Sequence, residues 1–386
     1  MNYFLTALLL SFIALSYTSI AQAQVNATDE ANASLKTGIR SDQPRYIAYL
    51  TSWGLPDNAT ELLKQSKADA YMLSFAKWDE LGNISSSDHI VEKPSTEPSA
   101  IPPTMPKSIP QAYLSWTTLA HASPQTQMII SFGGQEYQDI WNTMGSQDHS
   151  EVIASNIAKL LTTDFPIYQK ISRPDCQQNR CDDRSDFQII GHIQLSGIDF
   201  DFEQAARLTL KQNQQLAFLA KRVRELVGNS KSIVLTTYHV GADPINCKDS
   251  NISENCSFKE AKRSSHHGEV LDLLHSSIGV FDFYNVMSYD AGRNFDYKTS
   301  MDNYVKALGN RAKLRFGLSI NQQWGQLGNF VMPLQENNAR ATWQAKQEYG
   351  GFFVWALGAS SEARPLDSQI RVFNSLIDTS NKAAVQ

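Results

Sequence analysis

Three carboxyl side chains alternate with bulky apolar residues in the segment from Ser196 to Glu203. Alternate side chains of a β-strand share a face, so Asp199, Asp201 and Glu203 point to one side. The other face of the strand is apolar, with Ile198, Phe200 and Phe202. Neighbouring acids on one face lie roughly 6–7 Å apart, so their charges repel and their pKa values separate. Such a strand predicts general acid–base chemistry.

Two other interpretations of this segment are weaker. An edge strand with a solvated acidic face would alternate in the same way, but the preceding residues 189–195 are apolar enough for a central strand. A calcium-binding loop would use glycine and small polar residues where this chain has Phe200 and Phe202. We therefore expect the three acids to point into the interior of a fold.

The segment belongs to one of eight apolar, β-rich runs that are separated by helix-like stretches. The runs are residues 45–53, 70–78, 127–134, 189–203, 232–240, 280–290, 314–324 and 351–357. Between two of them, residues 213–227 place apolar side chains at three- and four-residue steps, as an amphipathic helix does. Alternating strands and helices imply parallel pairing, and eight strands close a (β/α)8 TIM barrel. An open doubly wound sheet is disfavoured because no glycine-rich dinucleotide fingerprint follows any run.

Three connections are longer than is usual in a barrel. Residues 79–125 and 241–265 follow the second and fifth strands, so they should emerge at the C-terminal face, where barrels build active sites. Residues 164–188 precede the fourth strand and should lie at the opposite face. We expect the first two connections to border a functional site and the third to be structural.

The sequence resembles the family 18 glycoside hydrolases, the chitinase family, at four places in order. Residues 196–203 resemble the family's Asp-Gly-x-Asp-x-Asp-x-Glu signature, and Ser131-Phe132-Gly133-Gly134 resembles its Ser-x-Gly-Gly. Met287-Ser288-Tyr289-Asp290 resembles Met-x-Tyr-Asp on the sixth strand, and residues 350–355, which end in Trp355, resemble the eighth strand. The resemblance runs across residues 45–357 and implies a single catalytic barrel.

The sequence departs from the family pattern at two points. Ser196 stands where the family usually has the first aspartate of its signature, and we expect this change to retune the acid network without abolishing activity. Only 25 residues (325–349) separate the seventh and eighth strands, which implies a short form without the inserted α+β domain of many members.

The resemblance implies roles for the residues at the strand ends. Glu203 would be the acid/base residue in a retaining mechanism in which the substrate's own acetamido group attacks. Asp201 and Tyr289 would orient that group, and Asp199 would share a proton with Asp201. The expected substrate-binding residues are Trp355, Met287, Asp290, Ser131, Gly133, Gly134, Trp53 and Tyr238. Trp53, Trp78 and Trp324 fall at or near strand ends, where each could stack on a sugar or equally pack in the core or a loop.

These features predict hydrolysis of β-1,4-linked N-acetylglucosamine polymers, such as chitin, without cofactor or metal. An endo-β-N-acetylglucosaminidase acting on N-glycans or peptidoglycan is the alternative within the same chemistry, since a fold does not define a substrate. A chitin-binding lectin is the alternative from another class, which the retention of Glu203 disfavours. A net charge of −5 argues against nucleic acid as a partner. We expect a monomer.

The N-terminal segment indicates export, and the cysteines are interpreted on that basis. Residues 1–23 are expected to be a signal peptide with cleavage before Gln24, residues 24–44 a polar linker, 45–378 the catalytic barrel and 379–386 a polar tail. A membrane anchor is disfavoured because the apolar run from Phe4 to Ile20, about 17 residues, is short for a helix that spans a membrane. Two local disulfides are expected, Cys176 with Cys181 and Cys247 with Cys256. A zinc site is disfavoured because the spacings are not Cys-x-x-Cys.

Overall fold

A computed structural model describes residues 43–94, 108–171, 187–248, 254–258, 264–291, 294–320, 333–358 and 364–385. The predicted signal peptide, nearly all of the predicted linker, Cys176, Cys181 and Trp324 lie outside the described residues. Among the helices of the described part, none combines the length and apolar character needed to cross a membrane.

Eight parallel strands form a closed barrel, which confirms the predicted (β/α)8 fold. They are β1 (Tyr46–Thr51), β2 (Ala70–Trp78), β4 (Gln127–Gly133), β7 (Gly197–Asp201), β8 (Ser232–Tyr238), β9 (Phe283–Met287), β10 (Leu314–Ser319) and β11 (Phe352–Leu357). Each pairs with its neighbour in this order, and β1 closes the barrel by pairing with both β2 and β11. The short β3 (Ile84–Ser86) adds to β2 in antiparallel orientation.

Helices surround the barrel. They are α1 (Ala59–Leu63), α2 (Gln111–Ala122), α3 (Gln147–Leu161), α4 (Leu210–Val227), α5 (Leu271–Ser276), α6 (Tyr297–Leu308), α7 (Leu334–Lys346) and α8 (Leu366–Ala384). Helix α4 starts three residues before the predicted amphipathic stretch, because the Thr209 hydroxyl and the Gln212 side chain form a capping box at its N-terminus. Between β10 and β11, α7 is the helix that the described residues form.

The barrel separates two apolar cores. Ile198 and Phe200 of β7 are fully buried in the larger core, which includes residues of the surrounding helices. Residues such as Tyr49, Phe75 and Phe353 form a separate, smaller cluster on inward-facing positions of the strands. This division is the one that alternation along the acidic strand predicts: apolar side chains face the helices, and Asp199 and Asp201 face the interior.

The predicted fourth strand, residues 189–203, is wrong at its start. Its first part belongs to β6 (Phe187–Ile193), which pairs in antiparallel orientation with β5 (Phe165–Lys170) in a separate two-stranded sheet. The barrel strand β7 begins only at Gly197. Ile189 and Ile190 are 39% and 38% exposed, so their apolar character does not mark a central strand. The acids nevertheless lie on a central strand, between β4 and β8.

The predicted polar tail from residue 379 is also different in the structure, because α8 continues to Ala384. Ser380 is fully buried, and its hydroxyl oxygen accepts hydrogen bonds from Tyr46 (3.2 Å) and Gln344 (2.8 Å). Most of the predicted tail is therefore the end of a helix that packs on the barrel.

Candidate active site

Asp199 lies at the centre of a buried hydrogen-bond network inside the barrel. Its carboxylate accepts hydrogen bonds from the hydroxyls of Tyr49 (2.8 Å), Ser131 (2.7 Å) and Thr236 (2.8 Å). These donors lie on β1, β4 and β8, so the closed barrel brings them together. Burial raises the pKa of Asp199 to about 6, although the three hydrogen bonds oppose the shift.

Asp201 lies two residues further along β7, on the same face as Asp199, and its hydrogen bonding differs from that of Asp199. It is 3% exposed, and its Oδ1 is a buried acceptor without a hydrogen-bond partner among the described residues. Burial, and then the charges of Glu203 and Asp199, raise its pKa well above the usual value. A buried acceptor without a partner is costly, so Asp201 is suited to receive a donor from a bound molecule.

Glu203 follows the end of β7 and is partly exposed at the mouth of the barrel. Burial raises its pKa to about 7, while hydrogen bonds from Tyr238 and from the backbone N–H of Gln135 favour the carboxylate and oppose the shift. The negative charge of Asp290 adds to the rise, and His266 opposes it. A carboxyl group with a pKa near neutrality can hold a proton at the pH where it must deliver one.

A cleft of about 490 Å³ opens above these acids at the C-terminal ends of the strands. The lining residues are Trp53, Phe75, Gln135, Glu136, Gln138, Asp201, Glu203, Tyr238, His239, Met287, Tyr289, Asp290 and Trp355. Burial raises the pKa of Tyr289 well above its usual value, so its hydroxyl remains a hydrogen-bond donor. The site therefore combines a carboxyl group of raised pKa, a buried acceptor and a phenol donor in one cleft.

One side of the cleft is aromatic. Phe75 stacks on Trp355 with ring centroids 5.8 Å apart and an angle of 19° between the planes, and Trp53 lies 6.2 Å from Phe75. These rings come from the ends of β11, β2 and β1. Flat apolar surfaces beside hydrogen-bonding groups are suited to the faces of sugar rings.

Comparison with known proteins agrees with this geometry. The family model described as "Glycosyl hydrolases family 18" matches residues 45–338, which is most of the chain. The chain belongs to glycosyl hydrolase family 18. It is therefore a glycoside hydrolase, as the four motifs implied. The comparison with curated proteins found no match.

Solved structures of family 18 chitinases share the fold. The catalytic domain of psychrophilic chitinase B from Arthrobacter TAD20 is 12% identical and has a TM-score of 0.58, covering 89% of this chain and 96% of that one. A chitinase from Pseudoalteromonas aurantia is 13% identical with a TM-score of 0.56, covering 87% and 99%. The Group IV chitinase of Ostrinia furnacalis, solved with allosamidin, is 10% identical with a TM-score of 0.54, covering 88% and 100%.

The structure places the predicted residues of this family 18 site in two groups. Asp201, Glu203, Tyr289, Trp355, Met287, Asp290, Trp53 and Tyr238 line the cleft. Asp199 and Ser131 lie beneath it, where Ser131 is fully buried and bonds Asp199. Ser131 therefore supports the acids and does not border the cleft that the described residues form.

Gly133 and Gly134 also lie behind the lining. Gly134 has a φ of +63°, its N–H donates to the Asp201 carbonyl (3.1 Å), and a Cβ there would lie 2.6 Å from the Phe75 ring. Gly133 has a φ of +99°, and its Cβ would lie 2.6 Å from the same carbonyl oxygen and would collide with Trp141. The glycine pair is needed because the backbone turns tightly against the acidic strand and the aromatic side of the cleft.

Ser196 does not take the place of the family's aspartate in the described acid network. It precedes β7, and its hydroxyl accepts the N–H of Met128 at 3.1 Å, while its own N–H donates to the Met128 carbonyl at 2.7 Å. It lies three positions before Asp199, and an odd number of steps along a strand leads to the opposite face. The serine aligns β7 with the start of β4.

Several functional side chains were not identified from the sequence. In the cleft these are Phe75, Gln135, Glu136, Gln138 and His239, and below it Tyr49 and Thr236. Alternation on β1 and β8 could have indicated Tyr49 and Thr236 as inward-facing. The polar residues after Gly134 had no such signal, because they lie in a 3-10 helix (Gln135–Asn142) with a kink at Tyr137. Burial lowers the pKa of His239 to about 4, so its imidazole is neutral at neutral pH.

Two further features, Trp78 and a cluster around Asp243, serve the packing of the fold. Trp78 is 2% exposed and packs against Phe132 and Trp141, so of its two expected environments it has core packing and not sugar stacking. Asp243, Cys247 and His267 place potential metal-ligand atoms within 4.8 Å of one another. The Cys247 sulfur, however, forms a disulfide with Cys256. The Asp243 carboxylate already accepts from His267 (2.8 Å) and from the residues Ser257 (2.6 Å) and Asn303 (2.7 Å). This cluster ties the loop after β8 to α6.

Proposed function

We propose that this family 18 enzyme hydrolyses β-1,4-linked N-acetylglucosamine polymers with retention of configuration and with the substrate's acetamido group as nucleophile. The observation that carries the proposal is the buried acceptor of Asp201, which has no partner among the described residues and lines the cleft beneath Glu203. A donor is needed there, and the N–H of a 2-acetamido group is a donor of the right kind.

The proposed reaction has two steps. In the first, Glu203 gives its proton to the glycosidic oxygen, the C1–O bond breaks, and the acetamido carbonyl oxygen bonds to C1. Asp201 accepts the acetamido N–H, and Tyr289 donates to the carbonyl oxygen, so the group is held in the attacking orientation. In the second, the Glu203 carboxylate takes a proton from a water molecule whose oxygen bonds to C1 and displaces the acetamido oxygen.

The burial of the acids supports this division of roles. Glu203 is the acid that is partly exposed beyond the strand end, whereas Asp201 is 3% exposed and lies deeper. Asp201 is therefore better placed to hold an amide than to reach the anomeric carbon. The three donors to Asp199 favour its carboxylate, which keeps a shared proton on the Asp201 side of the pair.

The charge of the cleft supports an uncharged polysaccharide. Four carboxyl groups, those of Glu136, Asp201, Glu203 and Asp290, line the cleft, and the lining that the structure describes includes no Lys or Arg. An acidic cleft attracts neutral or cationic sugars more than anionic ones. We therefore favour chitin or chito-oligosaccharides over peptidoglycan, whose lactyl groups carry negative charge.

Proton NMR of fresh products tests the mechanism. Chito-oligosaccharide cleavage should first release the retained anomer, and a substrate deacetylated on the non-reducing side of the bond should resist cleavage. Asp201→Asn and Tyr289→Phe should each slow the chemical step, because each removes orientation of the amide. Initial release of the inverted anomer would refute substrate assistance. Faster turnover of a peptidoglycan or N-glycan preparation than of chito-oligosaccharides would show that the proposed substrate is wrong. Binding of chito-oligosaccharides without turnover would indicate a lectin.

We also propose that the enzyme is exported after cleavage before Gln24 and acts as a monomer. The apolar segment from Phe4 to Ile20, followed by the small-x-small sequence Ala21-Gln22-Ala23, supports export. The Cys247–Cys256 disulfide also supports it, since such bonds persist in oxidising compartments. N-terminal sequencing of the mature protein and its mass in solution test these two statements.

A further inference from the structure

The segment around His266 is attached to the loop that carries Glu203. Arg207, in that loop, donates from its guanidinium to the carbonyl oxygens of Ser265 (2.5 Å) and His267 (2.7 Å). From the other side, the N–H of Leu208 donates to the Glu269 carboxylate at 3.0 Å. Two connections distant in sequence are thus held together at residues that follow Glu203 closely in the chain.

Glu269 organises this contact. Its side chain is fully buried, and Oε2 accepts a hydrogen bond from Nδ1 of His266 at 2.8 Å. The N–H of Leu208 shares that oxygen, and the Glu269 carbonyl accepts from Asn213 of α4 at 2.9 Å. A buried carboxylate with these partners holds the His266 ring in one orientation.

The ring of His266 lies against Tyr238, with centroids 4.7 Å apart and an angle of 54° between the planes. Tyr238 lines the cleft at the end of β8, and its hydroxyl lies beside Glu203 and within 3.4 Å of the Gln204 carbonyl oxygen. A continuous series of contacts therefore leads from Glu269 through His266 and Tyr238 to Glu203.

We propose that His266 is a positioning residue that, held by Glu269, keeps the Tyr238 hydroxyl against Glu203 and so sets the pH above which the proton donor is lost. As a statement about catalysis this rests on the proposed function, in which Glu203 is the general acid. His266 does not line the cleft that the described residues form, so it acts through Tyr238.

The charged groups around Glu203 and His266 determine whether loss of His266 raises or lowers the pKa of Glu203. Asp201, Asp290, Tyr238 and Tyr289 surround Glu203 together with His266, and the neighbours of His266 are Glu269, Arg207, Tyr238 and His239. The Tyr238 hydrogen bond lowers the pKa of Glu203, and the neighbouring His266 acts in the same direction. Loss of either should raise it, and the alkaline limit of kcat/KM should move to higher pH.

The test compares His266→Gln and Tyr238→Phe with wild type and with His275→Gln, a control on α5 with an exposed imidazole. We expect both variants to move the alkaline limit of kcat/KM on a chito-oligosaccharide upward, and His275→Gln to leave it unchanged. Thermal unfolding of each variant, followed by circular dichroism, shows whether it is folded over the pH range used. A uniform loss of kcat/KM at every pH, with an unmoved limit, would overturn the proposal and leave His266 a purely structural role.

A second measurement does not depend on turnover. The carboxyl ¹³C signal of Glu203, assigned by its disappearance in Glu203→Gln, should titrate at higher pH in His266→Gln than in wild type. An upward shift in an enzyme that does not cleave chito-oligosaccharides would support the positioning role and refute the proposed substrate. An unchanged titration in an active enzyme would refute the positioning role alone.

Discussion

The pH dependence of this enzyme should be controlled by Glu203. Its pKa is raised to about 7, mainly by burial. The group must be protonated to act as a general acid, so activity is present below this pKa and is lost as the pH rises through it. About nine tenths of the enzyme should carry the proton at pH 6 and about one tenth at pH 8.

The size of the effect follows from comparison with an ordinary glutamate. A carboxyl group of unshifted pKa about 4.3 would be protonated in only about 2% of molecules at pH 6. The burial of Glu203 therefore increases the fraction of competent enzyme at pH 6 by about 40- to 50-fold. Above pH 7, kcat/KM should fall about tenfold for each pH unit.

Asp290→Asn gives a sharp test of this reasoning, because the negative charge of Asp290 raises the pKa of Glu203. Asparagine accepts the left-handed conformation at this position, where φ is 53°. The variant should lose activity at lower pH than wild type, a shift opposite in sign to that expected of His266→Gln. The assay is kcat/KM on a soluble chito-oligosaccharide from pH 4 to 9. An alkaline limit near pH 4.5 in wild type, or an upward shift in Asp290→Asn, would refute the reasoning.

Three further predictions concern single residues. Glu203→Gln should lower turnover by about two to four decades while sugar binding, measured by calorimetry, persists; near-normal turnover would contradict its role as proton donor. Gly134→Ala should unfold at lower temperature and have a higher KM, because the added Cβ would displace Phe75 from the cleft. Gly228→Ala is the control for backbone strain alone, since Gly228 has a φ of +64° and nothing lies within 4 Å of the position that its Cβ would take. Equal effects of the two variants on KM would contradict the steric explanation. Cys247→Ser should lower the free energy of unfolding by about 2.5 kcal/mol, as expected for loss of a disulfide that closes a loop of about ten residues. The variant should also alter KM, because the loop after β8 reaches Tyr238 through His266. Unchanged stability would count against the disulfide.

The differences between expectation and structure have a common cause. The run from 189 to 203 contains two strands, because β6 finds its partner in β5 and the chain then turns at Ser196 to enter the barrel. Apolar composition does not say which neighbour a strand pairs with. For the same reason the sequence left open whether Trp78 stacks on a sugar or packs in the core. Its place at a strand end was visible in the sequence, but the packing of Trp141 over it was not.

The sequence by itself determined the family, the barrel and the identity of the acids. Alternation in a strand is a local property, so Asp199 and Asp201 of β7 had to share a face whatever surrounded them, and Glu203 follows shortly after the strand. The four motifs lie at strand ends, and a closed parallel barrel brings all strand ends of one kind to one face.

Only the tertiary structure decided how these acids differ from one another. Asp199 receives three hydroxyl donors from strands that lie 37 to 150 residues away in the chain. Asp201 retains an acceptor that has no hydrogen-bond partner in the described part of the chain, and Glu203 contacts Tyr238. Burial and neighbouring charges control the pKa of a carboxyl group, and both depend on long-range packing. The sequence therefore identifies which side chains can exchange a proton, and the fold determines where the proton resides.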